Sequence, residues 1–199
     1  MPEIKFKKIT DFDIKNKKIL VRVDINSSID LEKNEIRSDP RIKAIVPTLE
    51  ALKEAAVVLI AHQSRYGKPD CIDLELHAKQ LNEYLGGRVK FVKDLFGDEA
   101  IAAIEALQPG EILVLNNVRL WKKETEVKSI EEAEKTELIT RLSPLFDYFV
   151  NDAFGAAHRA HVSLIGWPTI CAGPTVVREL KMVQKLFKPE KPSVWLVGG

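Results

Sequence analysis

Three arginines and three histidines of this chain follow on short apolar runs, where an open sheet would deliver them to a common edge, and a fourth arginine joins them from a helix start. Asp24 and Asn26 come after Ile19–Val23, and His62 and Arg65 after Val57–Ala61. Asn117 and Arg119 follow Ile112–Leu115, while Asn151, Asp152, His158, Arg159 and His161 follow Tyr148–Val150. Arg41 opens a helical stretch. A guanidinium forks onto carboxylate or phosphate through paired N–H groups, so an arginine-rich rim calls for a small polyanion. The chain as a whole has 30 Lys+Arg against 29 Asp+Glu, a net charge of +1. No global field draws it to nucleic acid or to a membrane surface, so neither is expected as a partner. The anion site has to be local.

Other chemistries find little support. His158 and His161 have helical spacing but no third ligand nearby in sequence, so zinc is not expected. Gly67-Lys68-Pro69 lacks the earlier glycine and the Ser/Thr of a phosphate-binding P-loop. His77 sits within a helical period and reads as a packed or capping histidine. Cys71 has no histidine-rich motif beside it, and no Gly-x-Ser-x-Gly elbow exists. Trp121, Trp167 and Trp195 form no stacking ladder for single strands. A binding rim remains, without an evident nucleophile or general base.

The elements that must carry this rim alternate between apolar runs and helical periods. Strands are expected at Ile19–Asp24, Val57–Ala61, Val89–Val92, Ile112–Leu115, Tyr148–Val150 and Val194–Val197, short and mostly apolar as in a sheet buried on both faces. Asp39-Pro40 starts a helix, with Asp39 expected to cap the orphan amides, and Ile42, Ile45, Leu49 and Leu52 on its inner face. Ser129–Glu132 has the form of a capping box before a helix burying Ala133, Leu138 and Leu142. Helices are also expected over Asp73–Leu85, Asp98–Leu107 and Thr175–Leu186. The charge-rich stretch Lys122–Lys135 reads as a solvated loop and helix. Together these predict one α/β domain over residues 1–199, a doubly wound, Rossmann-like three-layer sandwich around a six-stranded, mainly parallel sheet. With 45% hydrophobic residues in 199, the chain has material for a full core. Cys71 and Cys171 stand 100 positions apart and read as two reduced, buried thiols. Neither a signal peptide nor a spanning apolar run is present, so a soluble, cytoplasmic protein is expected. The last apolar run meets Gly198-Gly199, where a ligand loop and a further helix would begin, so the sequence looks cut there.

Five motifs resemble the phosphoglycerate kinase family in order and spacing. They are Leu20-Val-Arg-Val-Asp-Ile-Asn26, Asp39-Pro-Arg-Ile-Lys-Ala44, Ala61-His-Gln-Ser-Arg65, Leu115-Asn-Asn-Val-Arg119 and Val150-Asn-Asp-Ala-Phe-Gly-Ala-Ala-His-Arg-Ala-His161. The resemblance spans essentially the whole chain, and Ala61-His-Gln is closer to the archaeal branch. It implies the N-terminal half of a two-domain enzyme, the half that holds 3-phosphoglycerate or 1,3-bisphosphoglycerate. Mg-ATP or ADP would belong to a C-terminal domain absent from this chain, so no cofactor or metal is expected within it. The resemblance further implies that Asp24 and Asn26 hold the hydroxyl end of the substrate, and that His62, Arg65, Arg119 and Arg159 hold its 3-phosphate. Arg41 would be catalytic, facing the carboxylate and the phosphoryl group in transit. Because that nucleophile is already an anion, the lack of a protein base fits the reaction.

Two positions depart from the family pattern. Ser64-Arg65-Tyr66 stands where Gly-Arg-Pro is usual, and Asn116 where Glu is usual. A serine there restricts the backbone if the position needs positive φ. Neither is among the expected substrate contacts. The competing readings are a non-catalytic sugar-phosphate or organic-anion binding module on the same rim, and a nucleic-acid or scaffold protein, which the neutral charge disfavours.

Overall fold

In the computed structural model, which describes residues 6–187, 189–194 and 196, the hydrophobic runs form one parallel sheet. In chain order the elements are β1 (Lys18–Val23), β2 (Ser28–Asp30), β3 (Glu35–Ser38), α1 (Pro40–Ala51), β4 (Ala56–Ile60), α2 (Glu75–Tyr84) and β5 (Val89–Phe91). There follow α3 (Asp98–Ala106), β6 (Ile112–Val114), α4 (Ile130–Glu134), α5 (Glu137–Leu142), β7 (Tyr148–Asp152), β8 (Ile170–Ala172) and α6 (Pro174–Phe187). The sheet order is β5-β6-β4-β1-β7-β8, and β2–β3 form a separate antiparallel hairpin. β1 pairs in parallel with β4 on one side, Val21 opposite Leu59, and with β7 on the other, Val21 opposite Val150.

Alternation along β1 divides the core. Ile19, Val21 and Val23 join the cluster under α1 and α2, with Ile42, Leu49 and Leu81. Leu20 faces the opposite layer, with Ile104, Leu138 and Leu142. Every residue from Ile19 to Val23 is buried, as in a central parallel strand covered on both faces, and all of them but Arg22 are apolar. Each fully buried aliphatic side chain contributes about 1.5–3 kcal/mol, and this stiff centre fixes where the strand ends point.

Four expectations are corrected. The sixth strand is Ile170–Ala172, beside β7. Of the expected strand Val194–Val197, Val194 and Leu196 belong to no strand and are exposed, while Trp195 and Val197 lie outside the described residues. The single helix expected after Ser129 is two short ones, α4 and α5, broken at Lys135 and Thr136. Ser129 Oγ does accept from Glu132 N–H (3.2 Å), but the Glu132 carboxylate accepts from Lys128 N–H (2.8 Å) rather than closing a box on Ser129. Asp39 precedes α1 without capping it: its carboxylate accepts from the Tyr84 hydroxyl and pairs with Lys43 at 3.2 Å. Finally, Lys122–Lys135 is not wholly solvated, because Glu124 is completely buried. Cys71 and Cys171 are free thiols, and only Cys171 is buried.

Candidate functional site

The chain leaves β1 towards β4 on one side and returns as β7 on the other, so the order reverses at β1. A crevice opens beyond the carboxyl ends of the strands at such a point. Here it is a cavity of about 840 Å³. β1 delivers Asp24 and Asn26 to it, β4 delivers His62, Ser64 and Arg65, and the turn after β7 delivers Gly155, Ala156 and Arg159. The hairpin β2–β3, which no sequence signal had suggested, adds Ser28 and Ser38, and Arg41 enters from the first turn of α1. Six of the seven expected site residues line this one cavity. The seventh, Arg119, does not. It is buried, with Nη2 3.4 Å from His161 Nδ1 and with its Nε–H sealed and without a partner among the described residues.

The cations Arg41, Arg65, Lys68 and Arg159 share the lining with two carboxylates, Asp24 and Asp70. Arg41 Nη1 donates to both oxygens of Asp24, at 3.1 and 3.2 Å. Asp70 accepts from Ser64 Oγ–H at 2.6 Å. Asn26 is committed to the scaffold through its Oδ1, which accepts from Ser64 N–H at 2.7 Å. Ser64 has φ 59°, the left-handed region that a glycine would enter at less cost. The two hydrogen bonds hold it there, and Ser64 itself lines the cavity. A Cβ on Gly155 would lie 3.2 Å from Asp24 Oδ2, which keeps that corner free of side chains.

Two amides absent from the expected list tie the loops together. Gln63 Oε1 accepts from Ser27 N–H and from His77 Nε2–H (both 3.0 Å), and its Nε2 donates to the carbonyls of Ser27 and Asp70. Asn117 Oδ1 accepts from Gln63 N–H and Arg119 N–H (both 3.0 Å), and its Nδ2 donates to the carbonyls of Gln63 and Ile72. His77 is therefore structural, as its sequence position suggested, and burial lowers its pKa to about 4. Asp152 also proves structural: it accepts from Thr48 Oγ (2.7 Å) and from Thr175 N–H (2.7 Å) at the start of α6. His158 and Arg159 are exposed, with 3.4 Å between His158 Nε2 and Arg159 Nε. Behind the cavity lie three residues that no motif pointed to in a functional role. Arg22, Glu124 and Ser163 are all fully buried. Burial lowers the pKa of Arg22 to about 10, well short of neutralising it.

Among the described residues no three His, Cys, Asp or Glu side chains are grouped so as to hold a metal ion. No helix among them is long and apolar enough to cross a membrane.

A sequence model described as phosphoglycerate kinase matches residues 9–199. The chain belongs to the phosphoglycerate kinase family. It is 45% identical to phosphoglycerate kinase of Methanococcus maripaludis, with 98% of this chain and 50% of that protein covered. With the enzyme of Sulfurisphaera tokodaii the identity is 40%, over 96% and 48%. The fold is similar to the crystal structure of phosphoglycerate kinase from Pyrococcus horikoshii OT3, with TM-score 0.87, 37% identity, and 94% of this chain against 47% of that one. The chain thus spans about half the length of the phosphoglycerate kinases it matches.

Proposed function

We propose that this chain is the acceptor-substrate half of a phosphoglycerate kinase, holding 3-phosphoglycerate or 1,3-bisphosphoglycerate in the 840 Å³ cavity. The observation that carries the reading is the gathering of Asp24, Asn26, Arg41, His62, Arg65 and Arg159, from four separate stretches of sequence, around one opening. Arg65 and Arg159 anchor the 3-phosphate together with His62, and Arg119, buried behind them, adds positive charge to that end of the cavity. Asp24 and Asn26 face the substrate hydroxyl, and Arg41 faces the carboxylate.

In the forward direction a carboxylate oxygen attacks the γ-phosphorus of ATP. The new P–O bond forms as the bond to the ADP oxygen breaks, and the acyl phosphate and ADP leave. No proton has to be removed, since the carboxylate is ionised at neutral pH. The residues of this chain are left with alignment and with balancing charge that spreads over the transferring group. Arg41, exposed and held among the described residues by Asp24 alone, can turn from that carboxylate to the phosphoryl group. ATP or ADP, with Mg²⁺, is assigned to the half of the relatives that this chain does not span. A cytoplasmic, glycolytic setting belongs to the same proposal.

Isothermal titration with 3-phosphoglycerate at two ionic strengths tests this. Binding in the millimolar range, about −4 kcal/mol, that weakens with salt is expected. Salt-independent binding, or equal binding by an Arg65→Ala variant, contradicts it. The purified chain is also expected to form no ADP from ATP and 3-phosphoglycerate. Turnover that co-purifies with it and vanishes on Arg41→Ala would put the nucleotide site within residues 1–199.

A further inference from the structure

Arg22 heads the fully buried side chains by volume, one residue before the carboxyl end of the central strand β1 and on the face shared with Leu20. A guanidinium has five N–H donors and no acceptor. Nη1 donates to the Val23 carbonyl (2.5 Å), Nε to Ser163 Oγ (2.9 Å), and Nη2 lies 3.0 Å from His62 Nδ1. Since arginine only donates, His62 Nδ1 is the acceptor, and a neutral ring then carries its proton on Nε2. Nε2 has no protein partner among the described residues, is not sealed in the interior, and belongs to a residue lining the cavity.

The other end of this chain of contacts is equally determined. Ser163 Oγ accepts from Arg22, so its own proton turns to Glu124 Oε1 at 2.6 Å, while Ser163 N–H donates to Glu124 Oε2 at 2.9 Å. With Glu124 ionised both Ser163 donors have an acceptor, three of the five Arg22 N–H groups are directed at named partners, and the buried guanidinium has a counter-charge. Burial raises the Glu124 pKa on balance, and Arg22, the two Ser163 bonds and Arg119 offset part of that rise.

We propose that Glu124, Ser163 and Arg22 are positioning residues for His62, a buried relay that holds it as the neutral Nε2–H tautomer and so gives the cavity an uncharged donor of fixed direction for an anion oxygen. The proposal deepens the anion-site reading and rests on it only for the identity of the ligand. The groups facing His62 are Arg22 on β1, Arg119 after β6, and Arg159 and His161 in the turn after β7. All are cationic or potentially so, and together with burial they lower the His62 pKa to about 2. His62 therefore contributes a hydrogen bond and no charge, and the exposed arginines contribute the charge.

The experiment uses the chain with ¹⁵N-labelled histidine and long-range proton–nitrogen correlation spectra, which report each ring nitrogen. Expected in the wild type at neutral pH is an unprotonated Nδ1 and a protonated Nε2 on His62, with the Nε2 signal moving when inorganic phosphate is added. Ser163→Ala cuts the relay while leaving both charges in place. It is expected to give a mixture of His62 tautomers and about a fivefold to tenfold loss of phosphate affinity, the effect of one misdirected hydrogen bond. Glu124→Gln keeps the shape and removes the charge, and is expected to shift His62 the same way. A wild-type His62 protonated on Nδ1 or on both nitrogens overturns the proposal without any variant. So does a folded Ser163→Ala protein with the His62 tautomer and phosphate affinity unchanged, and so does phosphate that leaves Nε2 unmoved. If inorganic phosphate shifts Nε2 while 3-phosphoglycerate does not bind, the substrate reading fails and the relay stands.

Discussion

Arg22 and Arg41 both serve one cavity, the first from inside β1 and the second from the opening turn of α1, and the protein treats them in opposite ways. Arg22 is fully buried and donates to Val23, Ser163 and His62. Arg41 keeps 53% of its side chain exposed and has one partner, Asp24, which a ligand can displace. The same contrast runs through the neighbouring residues. The wall behind the cavity holds Gln63, Asn117, Glu124 and Ser163, all buried and closed by hydrogen bonds, while Arg65, Lys68 and Arg159 at the rim are exposed. Direction is set where groups are locked, and charge is supplied where they are free to move onto the ligand and off again.

The largest test of that contrast removes Glu124. Glu124→Ala leaves the Arg22 guanidinium buried without its counter-charge, and a loss of about 3–5 kcal/mol in urea unfolding is expected. Asn117→Ala orphans buried backbone groups of Gln63, Ile72 and Arg119, and is expected to cost about 2–3 kcal/mol. Either variant unfolding like the wild type would break the idea of a locked wall.

Acid tests the wall without mutation. His62 and His77 have folded pKa values of about 2 and about 4, both depressed from an ordinary 6.5. The unfolded chain takes up their protons first as pH falls, so their contribution is intact above 6.5 and declines below it. Roughly 2 kcal/mol is lost for each by about pH 5. A urea midpoint that stays flat across that window contradicts buried, neutral histidines.

The rim is expected to respond in binding and rate instead. Arg65→Ala should change stability by no more than about 0.5 kcal/mol while weakening phosphate anchoring about tenfold. In an enzyme that also contains the nucleotide half, Arg41→Ala is expected to lower kcat with KM little changed, and Arg65→Ala to raise KM. Arg41→Lys should rescue only partly, because a point charge replaces a fork. If both alanine variants raise KM alone, the division of roles is wrong. The smallest effect belongs to Ser64→Gly. Relief of a positive φ offsets loss of the bond to Asp70, so a net change within about 0.5 kcal/mol is expected by thermal melting.

Five strands and six of the cavity residues were legible in the sequence, the strands and most of those residues because an apolar run ended by a polar side chain is a local signal. Ile170–Ala172 was missed because three residues beside a proline and a glycine carry no such pattern. Val194–Val197 carries it, and its described residues Val194 and Leu196 nonetheless lie exposed outside any strand. Asp39 looks like a cap in sequence, and what draws it away is Tyr84, 45 residues on. The relay was illegible for the same reason. Glu124 sits among charged neighbours, and its burial depends on Ser163 and Arg22, which only the closed sheet brings to it. Arg22 was read as part of a motif, yet its alternation with Val21 and Val23 already placed it on a buried face.

The central claim is that a phosphorylated anion binds at this one cavity, and backbone and side-chain NMR of the chain titrated with 3-phosphoglycerate tests it most directly. Expected are saturating shifts confined to Asn26, Arg41, His62, Arg65 and Arg159, reversed by added salt. Shifts scattered over other faces, or none at these residues at saturating ligand, would contradict it.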